Sequence, residues 1–535
     1  MRARPLSLAL VAFATAGLTA LATSPVTAAT TTTATGTSTS VSPYVLPVAD
    51  GVGITSLFTV GDDKAAGNGY EMVGIPDGLG AFAPKDGTTT VLMNHELRPN
   101  AGITRRHGEK GAFVSKLTID DATGTVLAGE DFIKPGVQYW DYASDRFAAA
   151  PVAPEDYVTS GPTDLNHKAA FARFCSGYLS APGELQVGKG GPGYDGQIYF
   201  ANEETGDEGR VFGVTEDGQA YQLPRLGLFS WENTIVAPTK SRTTVVMGNE
   251  DTAEGELWVY VGRKEHKGSP VDQAGLTNGD NHVIKIDGVT TDAGFRSTFG
   301  KGVAAPFSLQ DIEWDQSGKA QNDESIAEGG LVLNRIEDGA FNPANPREYF
   351  FLTTEGGDRT PFNGVSRDGG GLWKLTFANV ERPDLGGTLE LVLDGTETFA
   401  AGESGLSKPD NMMIDAAGNL LIQEDPGGND HLARILSYRL TDGARGVVAR
   451  FDSALFGPTI PTGTTPATRA VLTTDEESSG IIQLSDGSYL FDAQVHTAKG
   501  LATTGGKGSA EEYVERGQLL RMTVPSFSTV YTVLP

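Results

Sequence analysis

The chain reads as all-β, a β-propeller with loop insertions, on three observations. Six apolar, strand-like runs each end in a cluster of acids, amides or a histidine: VLMNHEL (91–97), IYFANEE (198–204), VVMGNED (245–251), YFFLTTEGGD (349–358), LLIQED (420–425) and YLFDAQVH (489–496). A hairpin grammar recurs, as in MIDAAGNLLIQED and IQLSDGSYLFDAQVH, where a strand, an Asp/Gly turn and a second strand finish in a polar terminus. Glycine is abundant at 69 residues and the 28 prolines fall in short turns, while long helical periodicity is hard to find. A single acid at a strand end is ordinary turn chemistry. Six of them imply repeated units whose equivalent strand ends meet in one place, as a propeller's do around its central channel.

Taken in order, residues 1–28 read as a secretory signal peptide. Arg2 and Arg4 form a basic start, Leu6 to Leu21 an apolar run, and Val26-Thr27-Ala28 a small-residue cleavage site. The Arg-Ala-Arg start is not a twin-arginine motif, which points to general secretion. The Thr/Ser/Ala-rich stretch 29–42 reads as a flexible leader, and 43–535 as a single propeller domain with no dividing linker. No later stretch approaches the roughly 20 apolar residues that span a bilayer. A secreted, soluble monomer is expected. Between the six endings, AFVSKLTID, ELWVYVG, HVIKIDG, GLWKLTF, ARILSYRL and QLLRMTV alternate as half-buried antiparallel strands do. The endings are unevenly spaced, so insertions decorate some units, with 130–170, 262–306 and 357–371 as the candidates. The last segment, GQLLRMTVPSFSTVYTVL, is expected to complete a unit begun near the N-terminus and so close the ring.

The formal charge of −27 argues against nucleic acid as a partner, because phosphate backbones are bound through basic surface. The excess carboxylates either solvate the surface or hold hard cations. With one cysteine, Cys175, the chain has no internal disulfide. That thiol is either a buried small hydrophobe or a metal thiolate.

The candidate site residues sit in six places. Glu96 follows Asn94-His95 at the first strand end, as a metal ligand or a solvated turn. Cys175 precedes Glu203 and Glu204, and a soft thiolate beside hard carboxylates suits a transition metal such as iron better than calcium alone. Glu232, then Glu250 and Asp251, place carboxylates in turns between apolar strands. Arg335 and Glu337 project on one face of an extended strand. An Arg fork there suits a bidentate phosphate, and the Glu a metal polarising the same phosphate, with a surface ion pair as the plainer alternative. Asp410 and Asp425, with Asn429 and Asp430, offer oxygens suited to calcium. His496 is a ligand, a proton donor to a leaving group or a core histidine. GxSxG, P-loop and HExxH motifs are missing from the sequence.

The order NHE, FCSG, NEE, RIEDG followed by NPANPREYFFLTT, KPDN with DAAGNL, then QVH resembles the PhoX-type secreted alkaline phosphatases, over roughly 45–500. The resemblance implies a six-bladed propeller with a mixed iron–calcium cluster in its channel and hydrolysis of phosphate monoesters. It implies Cys175 as the iron thiolate, Glu337 as a metal ligand and Arg335 as the grip on the phosphoryl oxygens. Glu96, Glu203, Glu204, Glu232, Glu250 and Asp251 become ligand candidates, with the choice within each adjacent pair left open.

The expected activity is hydrolysis of small-molecule phosphate esters, with metals and Arg335 neutralising charge on the phosphoryl group and a metal-bound oxo or hydroxide attacking in line. Two alternatives stand beside it. One is a calcium-dependent propeller lactonase or esterase, in which Cys175 is dispensable. The other is a non-catalytic, calcium-stabilised binding propeller.

Overall fold

A computed structural model describes residues 30–84, 86–157, 168–356, 369–425, 431–457, 471–502 and 508–531. The signal-peptide residues lie outside these, as do 158–167 and 357–368 of two expected insertions and Asn429 and Asp430.

Most strands pair antiparallel with the next in the chain. Pro76–Phe82, Thr88–His95, Phe113–Asp120 and Val126–Asp131 make one sheet, and Phe174–Leu179, Ile198–Glu203, Val211–Thr215 and Ala220–Gln222 a second. Pro409–Ile414, Asn419–Glu424, Arg434–Arg439 and Arg445–Phe451 make a third, edged by Val45–Pro47. A fourth runs Glu476–Gln483, Tyr489–Val495, Arg516–Thr523 and Gly53–Thr59. Its last pair joins the two ends of the chain, with Gly53 opposite Thr523 and Thr59 opposite Gln518. The ring closes there, as the sequence leads one to expect.

Between residues 231 and 394 the expected separate sheets are fused. Trp231–Val236 to Ala305–Ile312 and Ile336–Asn342 to Gly387–Asp394, with Val332–Leu333 against Gly255–Glu256 as the tenth strand, form one ten-stranded sheet, because Ala305–Phe307 pairs with Gly387–Leu389. The bridging strand starts at the end of the insertion read at 262–306 and runs past it to Ile312. An added strand at an outer edge presents unpaired N–H and C=O groups, and pairing with a neighbour's edge satisfies them.

The six apolar runs are the second strands of these units, and burial explains their composition. Ile198–Glu203, Asn419–Glu424 and Tyr489–Val495 are buried at every residue, since sheets pack against both their faces. Outer strands such as Gly387–Asp394 alternate buried with half-buried residues. The predicted Asp/Gly turns precede the runs. Asp486 accepts the N–H of Ser488 at 3.0 Å, and Gly487 takes φ 84°, which a side chain there would resist. Apolar clusters fill the spaces between consecutive sheets, for example Leu92, Val114, Tyr199 and Phe212, or Leu421, Ile435, Phe491 and Leu520.

Two expectations change. Thr32–Thr35, read as part of a flexible leader, pairs in parallel with Gly53–Ser56, and Ser38 and Thr39 beyond it are buried. A helix also occurs, Gly318–Glu328, capped by Ser317, whose side chain accepts the Ala320 N–H. No helix among the described residues is long and apolar enough to cross a membrane, which says nothing of a β-barrel.

The strands Pro76–Phe82, Phe174–Leu179, Trp231–Val236, Ile336–Asn342, Pro409–Ile414 and Glu476–Gln483 each neighbour the next, and the last returns to the first. The fold is all-β and propeller-like, with these innermost strands about its axis.

Candidate functional site

Each innermost strand carries a side chain able to bind metal at its second position: Asp77, Cys175, Glu232, Glu337, Asp410 and Glu477. Pairing register shifts just after Pro76, Phe174, Trp231, Ile336 and Pro409, and a bulge of this kind re-aims the side chains around it. Four residues that precede these strands sit in the left-handed region without being glycine: Ile75 (φ 49°), Arg173 (φ 44°), Arg335 (φ 57°) and Lys408 (φ 47°). Such backbone costs about 1–3 kcal/mol and persists only where its surroundings fix it.

One hydrogen bond fixes the same point in every unit. The residue just past the second strand donates its N–H to the carbonyl of the residue just before the first. The pairs are Glu96 to Ile75 at 2.9 Å, Glu204 to Arg173 at 3.0 Å and Asp251 to Ser230 at 3.0 Å. The other three are Thr354 to Arg335 at 2.9 Å, Asp425 to Lys408 at 3.0 Å and His496 to Asp475 at 3.1 Å. Glu96, Glu204, Asp251, Thr354, Asp425 and His496 thus lie beside the first ring as a second.

The two rings converge. Ligand atoms of Asp77, Glu96 and Cys175 all lie within 4.8 Å of one another, as do those of Cys175, Glu204 and Glu232, and those of Glu232, Glu337 and Asp410. Cys175 and Glu232 each belong to two groups, so the three form one continuous arc. Asp425 adds to the repulsion felt by Asp410 and Glu477. Polar side chains orient the arc. Ser176 Oγ donates to Glu232 at 2.6 Å, and Gln494 Nε2 donates to Asp77 at 2.8 Å and to Glu96 at 3.2 Å. The Cys175 thiol lies 3.4 Å from Asp77 Oδ2.

This much buried negative charge is costly. Burial first, then the neighbouring carboxylates, push Asp77, Cys175, Glu232, Glu337 and Asp410 well above their ordinary ranges. The same causes push Glu204 up to about 8 although Arg173 opposes them. Two arginines partly offset the charge. Arg335 donates from Nε and Nη2 to the two oxygens of Asp251, each at 2.8 Å, and its Nη2 lies 3.2 Å from Glu337. Arg173 bridges Glu96, at 2.7 Å, and Glu204.

Of the residues singled out from the sequence, Glu96, Cys175, Glu204, Glu232, Glu337 and Asp410 come together in the arc, with Asp251, Asp425 and Arg335 around it. Glu203 and Glu250 do not join them. Neighbours in a strand point to opposite sides, so the first of each acid pair turns away. Glu203 is held by Arg210 Nε and Nη2, both at 2.7 Å, and Glu250 accepts Trp258 Nε1 at 2.8 Å. His95 also turns away, bonded to Gly74 O at 3.0 Å and Ser115 Oγ at 2.7 Å. His496 lies 2.8 Å from Glu515 and 3.7 Å from Glu477. Burial lowers its pKa, but hydrogen bonds to these two acids outweigh that and raise it to about 11.

Sequence reasoning missed Asp77, Glu477 and Arg173. Their signal is an acid or cysteine followed within three residues by glycine ahead of a hairpin, as in Asp77-Gly78, Cys175-Ser176-Gly177, Glu337-Asp338-Gly339 and Glu477-Ser478-Ser479-Gly480.

Fold and site together define a propeller-like protein whose acids and one thiol converge on its axis. The model of the alkaline phosphatase PhoX family matches residues 173–488, more than half the chain. The chain belongs to that family and is a phosphoric monoester hydrolase, the phosphatase of the three expectations. No curated protein matches it in sequence. Among solved structures it is similar to Pseudomonas fluorescens PhoX in complex with vanadate, a transition state analogue, with a TM-score of 0.60 and 14% identity over 90% of this chain and 97% of that one. Weaker likenesses are to a luciferin-regenerating enzyme (TM-score 0.30, 9% identity, 86% and 95% of the two chains) and to the BP39L lectin from Burkholderia pseudomallei (0.30, 9%, 79% and 96%). Likenesses that low carry no argument.

Proposed function

We propose that this phosphatase is a secreted, metal-dependent, six-bladed propeller that hydrolyses small-molecule phosphate monoesters at its axis. The blade count rests on the six equivalent hydrogen bonds that tie each second strand to its innermost strand. In this reading the ten-stranded sheet is two blades joined along their outer edges.

One observation carries the metal reading: three sets of buried donors run together into one arc that Arg173 and Arg335 cannot neutralise alone. Asp410 Oδ1 is also buried without a hydrogen-bond donor among the described residues. Protein interiors hold such sets with cations. Asp77, Glu96, Cys175, Glu204, Glu232, Glu337 and Asp410 would be the ligands, with Asp251, Asp425 and Glu477 beside them. A thiolate among carboxylates fits iron, and the all-oxygen set Glu232, Glu337 and Asp410 fits calcium. Bound there, the ions supply Lewis-acid charge neutralisation and a lowered pKa for coordinated water.

The chain's own residues do the rest. Arg335 and Arg173 keep 26% and 38% of their side chains exposed, so two guanidinium groups border the acids and offer N–H donors to phosphoryl oxygens. Asp251 and Glu204 hold those forks in place. Gln494 and Ser176 fix the carboxylates of Asp77, Glu96 and Glu232. His496 keeps its proton at neutral pH between Glu477 and Glu515, which suits holding Glu477 better than shuttling protons.

Metal analysis of the purified mature protein, with p-nitrophenyl phosphate hydrolysis before and after chelation, tests the reading. Iron together with calcium, and activity lost on chelation and regained with the ions, is the expected result. Calcium without iron, in protein never exposed to chelator, returns Cys175 to packing. Full activity in metal-free protein overturns the metal dependence.

A further inference from the structure

Three units place a fully buried glutamate at the end of the second strand, paired with the first residue of the innermost strand: Glu203 with Phe174, Glu250 with Trp231 and Glu424 with Pro409. The surroundings repeat closely. In each, the residue facing it on the third strand donates its backbone N–H to the Oε2 atom: Arg210 at 3.2 Å, Glu256 at 3.1 Å and Arg434 at 3.2 Å. In two units that residue is an arginine which also chelates the carboxylate. Arg210 reaches Glu203 at 2.7 Å through both Nε and Nη2, and Arg434 reaches Glu424 at 2.8 and 2.6 Å. In the third unit the arginine's place is taken by another acid, Glu256.

Both members of this pair are fully buried, and each keeps one oxygen that meets no donor among the described residues, Glu250 Oε1 and Glu256 Oε2. Their other oxygens are satisfied, Glu250 Oε2 by Trp258 Nε1 and the Glu256 N–H, and Glu256 Oε1 by Ser325 Oγ. The hydroxyl of Thr252, on the turn joining the two, is likewise buried without a partner. Asp207 adds to the repulsion on Glu250. A buried carboxylate without a counter-charge is among the costliest groups a fold can hold.

We infer that Glu250 and Glu256 bind a hard divalent cation, calcium by its chemistry, in the place a guanidinium takes in the two sister units. This site is separate from the channel arc, from which Glu250 is turned away, and does not depend on the reading of that arc. Two carboxylates and a hydroxyl supply part of the all-oxygen shell that calcium takes, and water completes it. The cation secures the turn whose Thr252 carbonyl accepts the Arg335 N–H at 2.8 Å and whose Asp251 grips the Arg335 guanidinium. It is therefore a positioning site for Arg335.

The test counts bound metal per chain in the full-length protein purified in calcium, for the wild type, Glu256→Gln and Glu256→Arg. Glu256→Arg copies Arg210 and Arg434, so it is expected to fold with one cation fewer and with stability less dependent on calcium. Glu256→Gln carries the same expectation if the arginine variant does not fold. Terbium gives a second readout, since Trp258 is hydrogen-bonded to Glu250 and sensitises an ion bound there. Its tryptophan-excited emission is expected to fall at least twofold in either variant. Equal metal content and equal terbium emission in wild type and variants would overturn the inference and assign the pair a shared proton instead.

Discussion

Replacing Arg210 with methionine strands a charge that the fold depends on neutralising. Arg210 and Glu203 are both fully buried, joined by two charge-assisted hydrogen bonds of 2.7 Å, and Arg210 also donates to Lys168 O and Ala170 O at 3.1 Å each. In Arg210→Met the carboxylate keeps only backbone donors, the N–H groups of Ala172 and of residue 210, both at 3.2 Å. Breaking one partner of such a pair costs about 3–5 kcal/mol, because the survivor remains buried and unpaired. Replacing both with apolar residues of similar size removes that penalty, so Glu203→Met/Arg210→Met should recover all but about 1 kcal/mol. Glu203→Met alone strands the guanidinium at a similar cost of about 3–5 kcal/mol, so the double-mutant cycle should return a coupling of about 5–9 kcal/mol. Urea unfolding followed by tryptophan fluorescence, at one fixed excess of metal so that ligand linkage is constant, measures it. A single-mutant loss below about 1 kcal/mol, or a double mutant worse than the single, would refute the argument.

Three further outcomes are expected. Arg335→Ala should lower kcat/KM for a phosphate monoester by about 10²–10³-fold with the circular dichroism spectrum unchanged, because it removes a donor fork from the phosphoryl site proposed above. In Gly78→Ala, the new Cβ would lie 2.0 Å from Gly177 N and 2.4 Å from Ser176 C. Backbone cannot yield there, so a loss of about 1–3 kcal/mol in thermal unfolding should come with lower metal content, if the proposed ligands Asp77 and Cys175 are displaced. Glu184 accepts hydrogen bonds from Tyr178 Oη and Ala181 N, both at 2.8 Å, yet burial pushes its pKa from 4.5 up to about 7. Its folded value exceeds its unfolded one, so its contribution is complete below about 4.5 and is lost as pH rises through about 7. Glu184→Gln should flatten the wild type's fall in stability over that window by about 1–2 kcal/mol, and parallel urea midpoints across it would contradict this.

The six strand endings were legible because burial on both faces demands uninterrupted apolar runs, as in Ile198–Ala201. The acids just past those runs stood out against them, so Glu96, Glu204 and Asp425 were visible by position. Asp77 and Glu477 were not, since they open the first strand, ahead of the apolar run, in segments that read as turns. The fused sheet was equally hidden, because the pairing of Ala305–Phe307 with Gly387–Leu389 depends on which outer edges meet in space.

By itself, then, the sequence determined the β class, the hairpin units, the lone thiol and the neighbourhood of each ligand candidate. These follow from local chemistry: period-two burial, turn residues and one cysteine. Only the tertiary structure decided which acid of each adjacent pair meets the axis. Glu203 and Glu204 are chemically alike, and a strand sends them to opposite sides. What the side that faces away meets depends on the third strand: Arg210 chelates Glu203 and Arg434 chelates Glu424, whereas Glu250 meets another acid, Glu256.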